Sequence, residues 1–314
     1  LPGGSVRRGL VGVLDLEQYD YAENSQTPIR ATEHTVESRL PPRVAIRQQA
    51  CLEMPHIMVF IDDPADTVMS CAEQSVGNTL YDFELMCGGG HIRGMQIEGK
   101  KAADLSAQLD ALADDAVLTE KYGRSEGAIL YAMGDGNHSL AAARKCWEMV
   151  RDKLSPEEKM THPARFALLE LVNIHDAGIM FHPIHRTVFQ INPADFAAKA
   201  RTDLFSEQGT AVTMVFGGIT EVGFVSAESI GQVIERVDRF CQTYAKAHNG
   251  EVDYIHGDEE AAAFGGQKDA ASILLPAMEK GELFTSVMNT GVFCKKSFSI
   301  GEVAENRSCL ECRK

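Results

Sequence analysis

The chain lacks the long apolar run that a membrane crossing demands: none of its hydrophobic stretches approaches the roughly 18 apolar residues of a spanning helix. It also lacks a cysteine framework. Cys51, Cys71, Cys87, Cys146, Cys241, Cys294, Cys309 and Cys312 are scattered along 314 residues, which reads as reduced thiols in a cytoplasmic protein. The CLEC spacing at 309–312 is that of a zinc or redox pair, but no second pair accompanies it, and it is read as coincidence. Positive charge is scarce too, with 30 Lys and Arg against 45 Asp and Glu, for a net charge of −15. Such a surface repels phosphate backbones, so nucleic-acid binding would require a concentrated basic stripe. Arg30, Arg39, Arg43 and Arg47 are spaced apart without interleaved aromatics and do not make one. A single anion held by a few arginines remains compatible with the acidic balance. The expected partner is therefore a small-molecule anionic ligand, with neither nucleic acid nor membrane. The opening LPGGSVRRGLVG has no initiator Met and no signal-peptide core. It reads as the approach to a strand, and the expectation is that an N-terminal segment precedes it.

What is present is ordinary globular material, 44% hydrophobic and 24% charged, enough for two modest cores. The alternation in 5–16 predicts a first strand, and Pro41-Pro42 is expected to divide two short charged helices. HIMVFIDD (56–63) reads as a buried strand and GGGHIRGMQI (88–97) as a glycine-led one. Leu105, Leu109 and Leu112 mark a helix. AILYAMG is a short strand, followed over 138–154 by a helix with Leu140, Ala143, Trp147, Val150 and Leu154 on its inner face. Strands at 165–176 and 186–191 come next, then a helix capped by Asn192 with Pro193 in its first turn. A hairpin around GGITE, a helix over 228–247, a strand-turn-helix at VDYIHGDEEA and an extended tail complete the chain. Helices alternating with strands, hairpins included, give a mixed-sheet α/β fold, with α+β as the neighbouring class. Two regions are expected, 1–160 carrying the strand-turn-helix motif and 161–314 packed on it as a second α+β region, with one continuous domain as the alternative.

The motif is GDGNHS (134–139), at the junction of that short strand and helix. The first amides of a helix have no intrahelical acceptors and carry partial positive charge. Gly134 and Gly136 let the backbone turn sharply and approach a ligand, and Asn137 or Ser139 can cap the helix. His138 can donate a proton, and Asp135 can orient it or hold a cation. Two readings stand. One is an anion cradle with acid–base equipment. The other is a capped helix start with a turn acid and a structural histidine. The motif lacks the lysine of a phosphate-binding P-loop and the third glycine of a dinucleotide fingerprint.

These residues also carry a resemblance. GDGNHSLAAARKCWE, HPARFALLELVNIHD, PIHRTVF, LPGGSVRRGLVGVLDLEQYDY and IRATEHTVESRLPPRVAIR are similar, in order from residue 1 to about 308, to the bacterial and archaeal family known as domain of unknown function 1015. In the family the turn more often reads Asp-Gly-His-His-Arg. Asp135, Gly136 and His138 carry over, while Asn137 and Ser139 depart. The strand, turn and helix more remotely resemble the ParB/sulfiredoxin superfamily, which holds nucleotide phosphates on such a turn and includes kinases of free serine. The resemblance implies a ParB/sulfiredoxin-like core around 128–154. It matches Glu33, Thr35, Arg39 and Arg43 to a second block, and His185 and Arg186 to a third.

A carboxylate among arginines can take a hydroxyl proton while the arginines hold phosphate. The alternative for 30–47 is a solvated helix, with Arg39, Arg43 and Arg47 facing Glu37. HDAGIMFHPIHR offers His175, Asp176, His182 and His185, at a spacing poorly suited to zinc. His185 and Arg186 are read as a ligand-facing pair at a strand end. Lys295 and Lys296 in CKKSFSIG could close over a phosphate or stand simply exposed. Magnesium accompanying a nucleotide would be held by Asp135 or Asp176. Together these residues point to a phosphoryl-transfer enzyme acting on a small hydroxyl metabolite such as free serine or phosphoserine. Glu33, His138 and Asp135 would be catalytic, and Gly134, Gly136, Asn137, Ser139, Arg39, Arg43, His185 and Arg186 would bind. The alternative is a non-catalytic regulatory protein that binds a nucleotide or metabolite through the same turn.

Overall fold

The computed structural model describes residues 1–54, 57–301 and 310–313, and the chain divides into two compact units. The first comprises Leu1–Met180 and Gly301–Lys314. In chain order it contains β1 (Leu10–Asp15), β2 (Tyr19–Asp20), β3 (Ile29–Arg30), α1 (Leu40–Gln49), β4 (Met58–Ile61), α2 (Thr67–Gln74), β5 (Val76–Glu84), β6 (His91–Ile97), α3 (Ala102–Leu112), α4 (Asp115–Tyr122), β7 (Tyr131–Asp135), α5 (Asn137–Arg151), α6 (Pro156–Thr161) and β8 (Phe166–Asn173). Six strands form a mixed sheet in the order β1-β8-β4-β7-β3-β2. The β8–β4, β7–β3 and β3–β2 pairs are parallel, and β1–β8 and β4–β7 antiparallel. Strands β5 and β6 form a separate hairpin.

The fold class is thus mixed α/β, and the apolar patterning explains how the sheet is covered. All four residues of β4 are buried, as suits a central strand covered on both faces. Helix α5 buries Leu140, Ala143 and Trp147 in a cluster with Leu14, Leu16, Val59, Ile61, Leu169 and Leu171. The Trp147 indole N–H donates to Glu17, so this buried polar atom keeps a partner.

Three local expectations change. Pro41 and Pro42 open one helix, α1, because a first-turn proline has no intrahelical acceptor to miss. The helix predicted after residue 100 breaks in two at Asp114, which caps α4 by accepting from the Ala116 and Val117 amides. Strand β8 inserts between β1 and β4, so the first unit continues past residue 160 to Met180.

The second unit, Phe181–Ile300, holds β9 (Phe181–Phe189), α7 (Pro193–Asp203), β10 (Thr210–Phe216), β11 (Ile219–Val225), α8 (Ile230–His248), β12 (Glu251–His256), α9 (Asp258–Gly265), β13 (Ala270–Leu274), α10 (Glu282–Thr290) and β14 (Phe298–Ile300). Its sheet runs β11-β10-β13-β9-β12 with β14 also on β9, every pair antiparallel. Asn192 caps α7 as its sequence predicts, accepting from the Ala194 and Asp195 amides. Val233, Val237, Cys241 and Tyr244 are the buried face of α8. Among the described residues no helix is long and apolar enough to cross a membrane, and the described cysteines are free. Cys309 lies outside the described residues.

Candidate functional site

The GDGNHS turn joins β7 to α5 directly. Gly136 is the helix N-cap at φ +87°, a left-handed conformation natural to glycine. A β-carbon there would lie 3.2 Å from the Ile57 Cα, and one on Gly134 would fall 2.7 Å from the Phe60 ring. The two glycines therefore bring this backbone against β4 and its approach. Neither Asn137 nor Ser139 acts as the cap: no side chain caps α5, and its first turn has no acidic residue. Asp135 is exposed and accepts from the Gly136 amide at 2.7 Å. It does not orient His138 as the sequence suggested.

His138 is instead held by the segment that carries Glu33. The Val36 amide donates to His138 Nε2 at 3.1 Å, and four residues before it the Thr32 hydroxyl donates to the Met133 carbonyl at 2.7 Å. Glu33 lies between these two anchors, so the fold brings the Glu33 block and the turn together. Because Nε2 accepts, the neutral ring carries its proton on Nδ1.

The atoms flanking this bond are unusual. Among the described residues three buried side-chain oxygens have no hydrogen-bond partner: Thr35 Oγ1, Asn137 Oδ1 and the Tyr19 hydroxyl. The first two belong to the immediate neighbours of the bonded pair, Val36 and His138. Buried polar groups without partners are costly, and two of the three adjoin this bond. A hydroxyl such as Thr35 can donate to an anion, while Asn137 Oδ1 suits a hydroxyl or ammonium donor.

Positive charge gathers here. Arg39 and Arg43 are both exposed. Arg43 donates to the Arg39 carbonyl at 3.0 Å, and among the described residues neither guanidinium has a carboxylate partner. Arg47 pairs with Glu53 at 2.5 Å, so the charge ladder to Glu37 is not formed. Burial first, then Arg43, Arg39 and His34, hold the His138 imidazole below its ordinary range.

A pH dependence follows. On acidification the unfolded chain takes up this proton before the folded chain does. His138's contribution to stability is complete above about pH 6.5, is lost as the pH falls through that value, and levels off once the folded group is protonated. A bound anion should oppose the arginines and raise the midpoint. Imidazole NMR should therefore show His138 titrating below an exposed histidine, and moving upward on phosphate addition. A midpoint unmoved by phosphate would contradict the placement of an anion here.

The other predicted residues have structural employment. His185 and Arg186 belong to the second unit and are fully buried, not ligand-facing. His185 bonds Asp258 through Nε2 at 2.9 Å and accepts the Leu275 amide on Nδ1 at 3.1 Å, which uses both ring nitrogens. Arg186 pairs with Asp238 at 3.0 Å. Both lie on β9, an inner strand between β13 and β12, which explains their burial. Asp176 is buried, accepts Arg8 Nε at 3.0 Å and the Gly178 amide at 2.8 Å, and is unsuited to magnesium. His175 bonds Asp62 at 2.6 Å. Among the described residues no group of three or more His, Cys, Asp or Glu side chains is arranged to hold a metal ion. What sequence reasoning missed is the role of Val36, a backbone donor that no side-chain motif announces.

Comparison with known proteins bears on the fold. A mutant of a free serine kinase in complex with ADP superposes with a TM-score of 0.50 at 9% identity, over 98% of this chain and 92% of that one. SbnI with a C-terminal truncation, from Staphylococcus aureus, gives 0.46 at 10% identity over 93% and 83%. A conserved hypothetical protein from Pyrococcus furiosus gives 0.44 at 11% identity over 95% and 94%. No curated protein matches the chain. The family model described as "Protein of unknown function (DUF1015)" matches residues 1–264, most of the chain, so this protein belongs to the DUF1015 family.

Proposed function

We propose that this protein transfers a phosphoryl group to the hydroxyl of a small metabolite, free serine being the first candidate, from a nucleotide or pyrophosphate. The observation that carries the reading is the stapling of the Glu33 segment to the GDGNHS turn by the Val36–His138 and Thr32–Met133 bonds. It combines a carboxylate, two arginines without carboxylate partners among the described residues and an uncapped helix start in one place. The likeness in fold to a free serine kinase observed with ADP supports the same substrate class.

The amides opening α5 and the Arg39 and Arg43 guanidinium groups bind the phosphoryl oxygens, and His138 Nδ1–H donates to one of them. Asn137 Oδ1 accepts from the incoming metabolite. The metabolite oxygen attacks phosphorus while its proton passes to Glu33. The bond from phosphorus to the leaving oxygen of the donor breaks, and the electron pair leaves with that oxygen. Asp135, exposed beside the turn, fits a magnesium ion travelling with the donor phosphates, and such an ion would neutralise charge on them.

Phosphorus NMR of the protein with serine, Mg²⁺ and, in separate samples, ATP, ADP or pyrophosphate tests the reading. A phosphoserine resonance supports it. Silence with every donor, together with phosphate binding at the turn, would replace it with the regulatory reading.

A further inference from the structure

The second unit carries positive charge that the proposed transfer does not use. Lys295 Nζ lies 5.4 Å and Lys296 Nζ 5.3 Å from the centre of the Tyr254 ring, and the Arg186 guanidinium lies 4.8 Å from it. An aromatic face attracts cations but does not cancel their charge. Arg186 is neutralised by Asp238. The two lysines are exposed, and among the described residues neither has a carboxylate partner. In a chain with 45 acidic side chains, two like charges drawn to one ring without an acid are conspicuous.

The backbone is held in an uncommon state to present them. Lys296 adopts φ +54°, a left-handed conformation that is uncommon for a residue with a β-carbon and persists only when its surroundings impose it. Those surroundings are visible. The buried Arg186 donates to the Lys296 carbonyl at 3.0 Å, and the buried Ser297 hydroxyl donates to the Cys294 carbonyl at 2.7 Å, closing the turn. The platform is fixed as well, because Gln242 Nε2 donates to the Tyr254 hydroxyl at 3.1 Å. Burial and then Asp238 push that phenol up to about 12, so the ring stays uncharged beneath the lysines near neutral pH.

We propose that Lys295 and Lys296, on the Tyr254 platform, form an anion-binding site in the second unit that takes a phosphoryl dianion, either free phosphate or the phosphate end of a larger molecule. The neighbouring Asp238 does not contest this assignment, because it is committed to Arg186. The inference uses residues of the second unit alone and does not rest on the transfer reaction proposed above.

Acetylation of the full chain by an activated ester, followed residue by residue by mass spectrometry, tests it without any substitution. Pyrophosphate at ten times its dissociation constant should slow modification of Lys295 and Lys296 about tenfold, in proportion to the sites left free. Exposed Lys268 should be unaffected, and chloride at matched ionic strength should not protect. Inorganic phosphate should protect in the same way at higher concentration, which separates recognition of the phosphoryl group from recognition of a larger ligand. Equal reactivity with and without either anion overturns the proposal. The same measurement on an Arg39→Ala/Arg43→Ala variant should leave the protection intact. Its disappearance there would overturn an independent site. A Lys295→Gln/Lys296→Gln change in that background should weaken the residual pyrophosphate binding by tenfold or more, and unchanged binding would contradict the assignment.

Discussion

Replacing Glu33 by Gln is expected to lower phosphoryl transfer by about 10²–10⁴-fold, the usual contribution of a positioned general base, while phosphate binding persists. Glutamine keeps the length and the hydrogen-bonding capacity of glutamate but cannot accept the hydroxyl proton. The segment's position does not depend on the Glu33 carboxylate alone, because the Thr32–Met133 and Val36–His138 bonds hold it on both sides. Turnover and binding should therefore separate, with kcat falling and the dissociation constant for phosphate preserved. A fall in both together, with the fold intact by circular dichroism, would make Glu33 a binding group. Unchanged turnover would remove it from the reaction.

The second large effect is expected at Gly136. Replacing it by Val should destabilise the first unit by on the order of 3 kcal/mol, from left-handed strain in a β-branched residue and from overpacking. The added β-carbon would lie 3.2 Å from the Ile57 Cα, a backbone atom that cannot swing aside. Relief requires the first turn of α5 to shift, which would misalign its amides and weaken phosphate binding even at temperatures where the chain stays folded. Gly12→Ala is the control. Its β-carbon meets nothing within 4 Å, and the reduced entropy of the unfolded chain makes the change neutral or stabilising, by up to about 1 kcal/mol. Equal melting temperatures for the two variants would show that the left-handed cap is not needed.

Much of this arrangement was legible in the sequence because it is local. The Leu140–Ala143–Trp147 stripe, the Asn192 cap and the glycine pair at 134 and 136 each act within a few residues, and each appears where its pattern predicts. Strand β5 went unread because its residues are nearly all exposed, which leaves no in–out alternation to detect. His185 and Arg186 misled for a different reason. A polar pair in an apolar strand looks poised for a ligand, yet partners more than fifty positions away occupy it, Asp238 pairing with Arg186 and Asp258 bonding the His185 imidazole. At the site itself the residue types were visible and their connections were not. The sequence suggested Asp135 as the partner of His138, whereas the fold supplies the amide of Val36, 102 residues distant.

The central claim is that the turn opening α5, together with Arg39, Arg43 and His138, binds a phosphoryl anion. Titrating inorganic phosphate into isotopically labelled protein, and following the amide resonances, tests it most directly. The account predicts saturable shifts centred on Gly136, Asn137 and His138, with Val36 moving through its bond to the imidazole. These shifts should be absent in an Arg39→Ala/Arg43→Ala variant. Saturable shifts that leave Gly136 to His138 untouched, or shifts there that survive loss of both arginines, would contradict it.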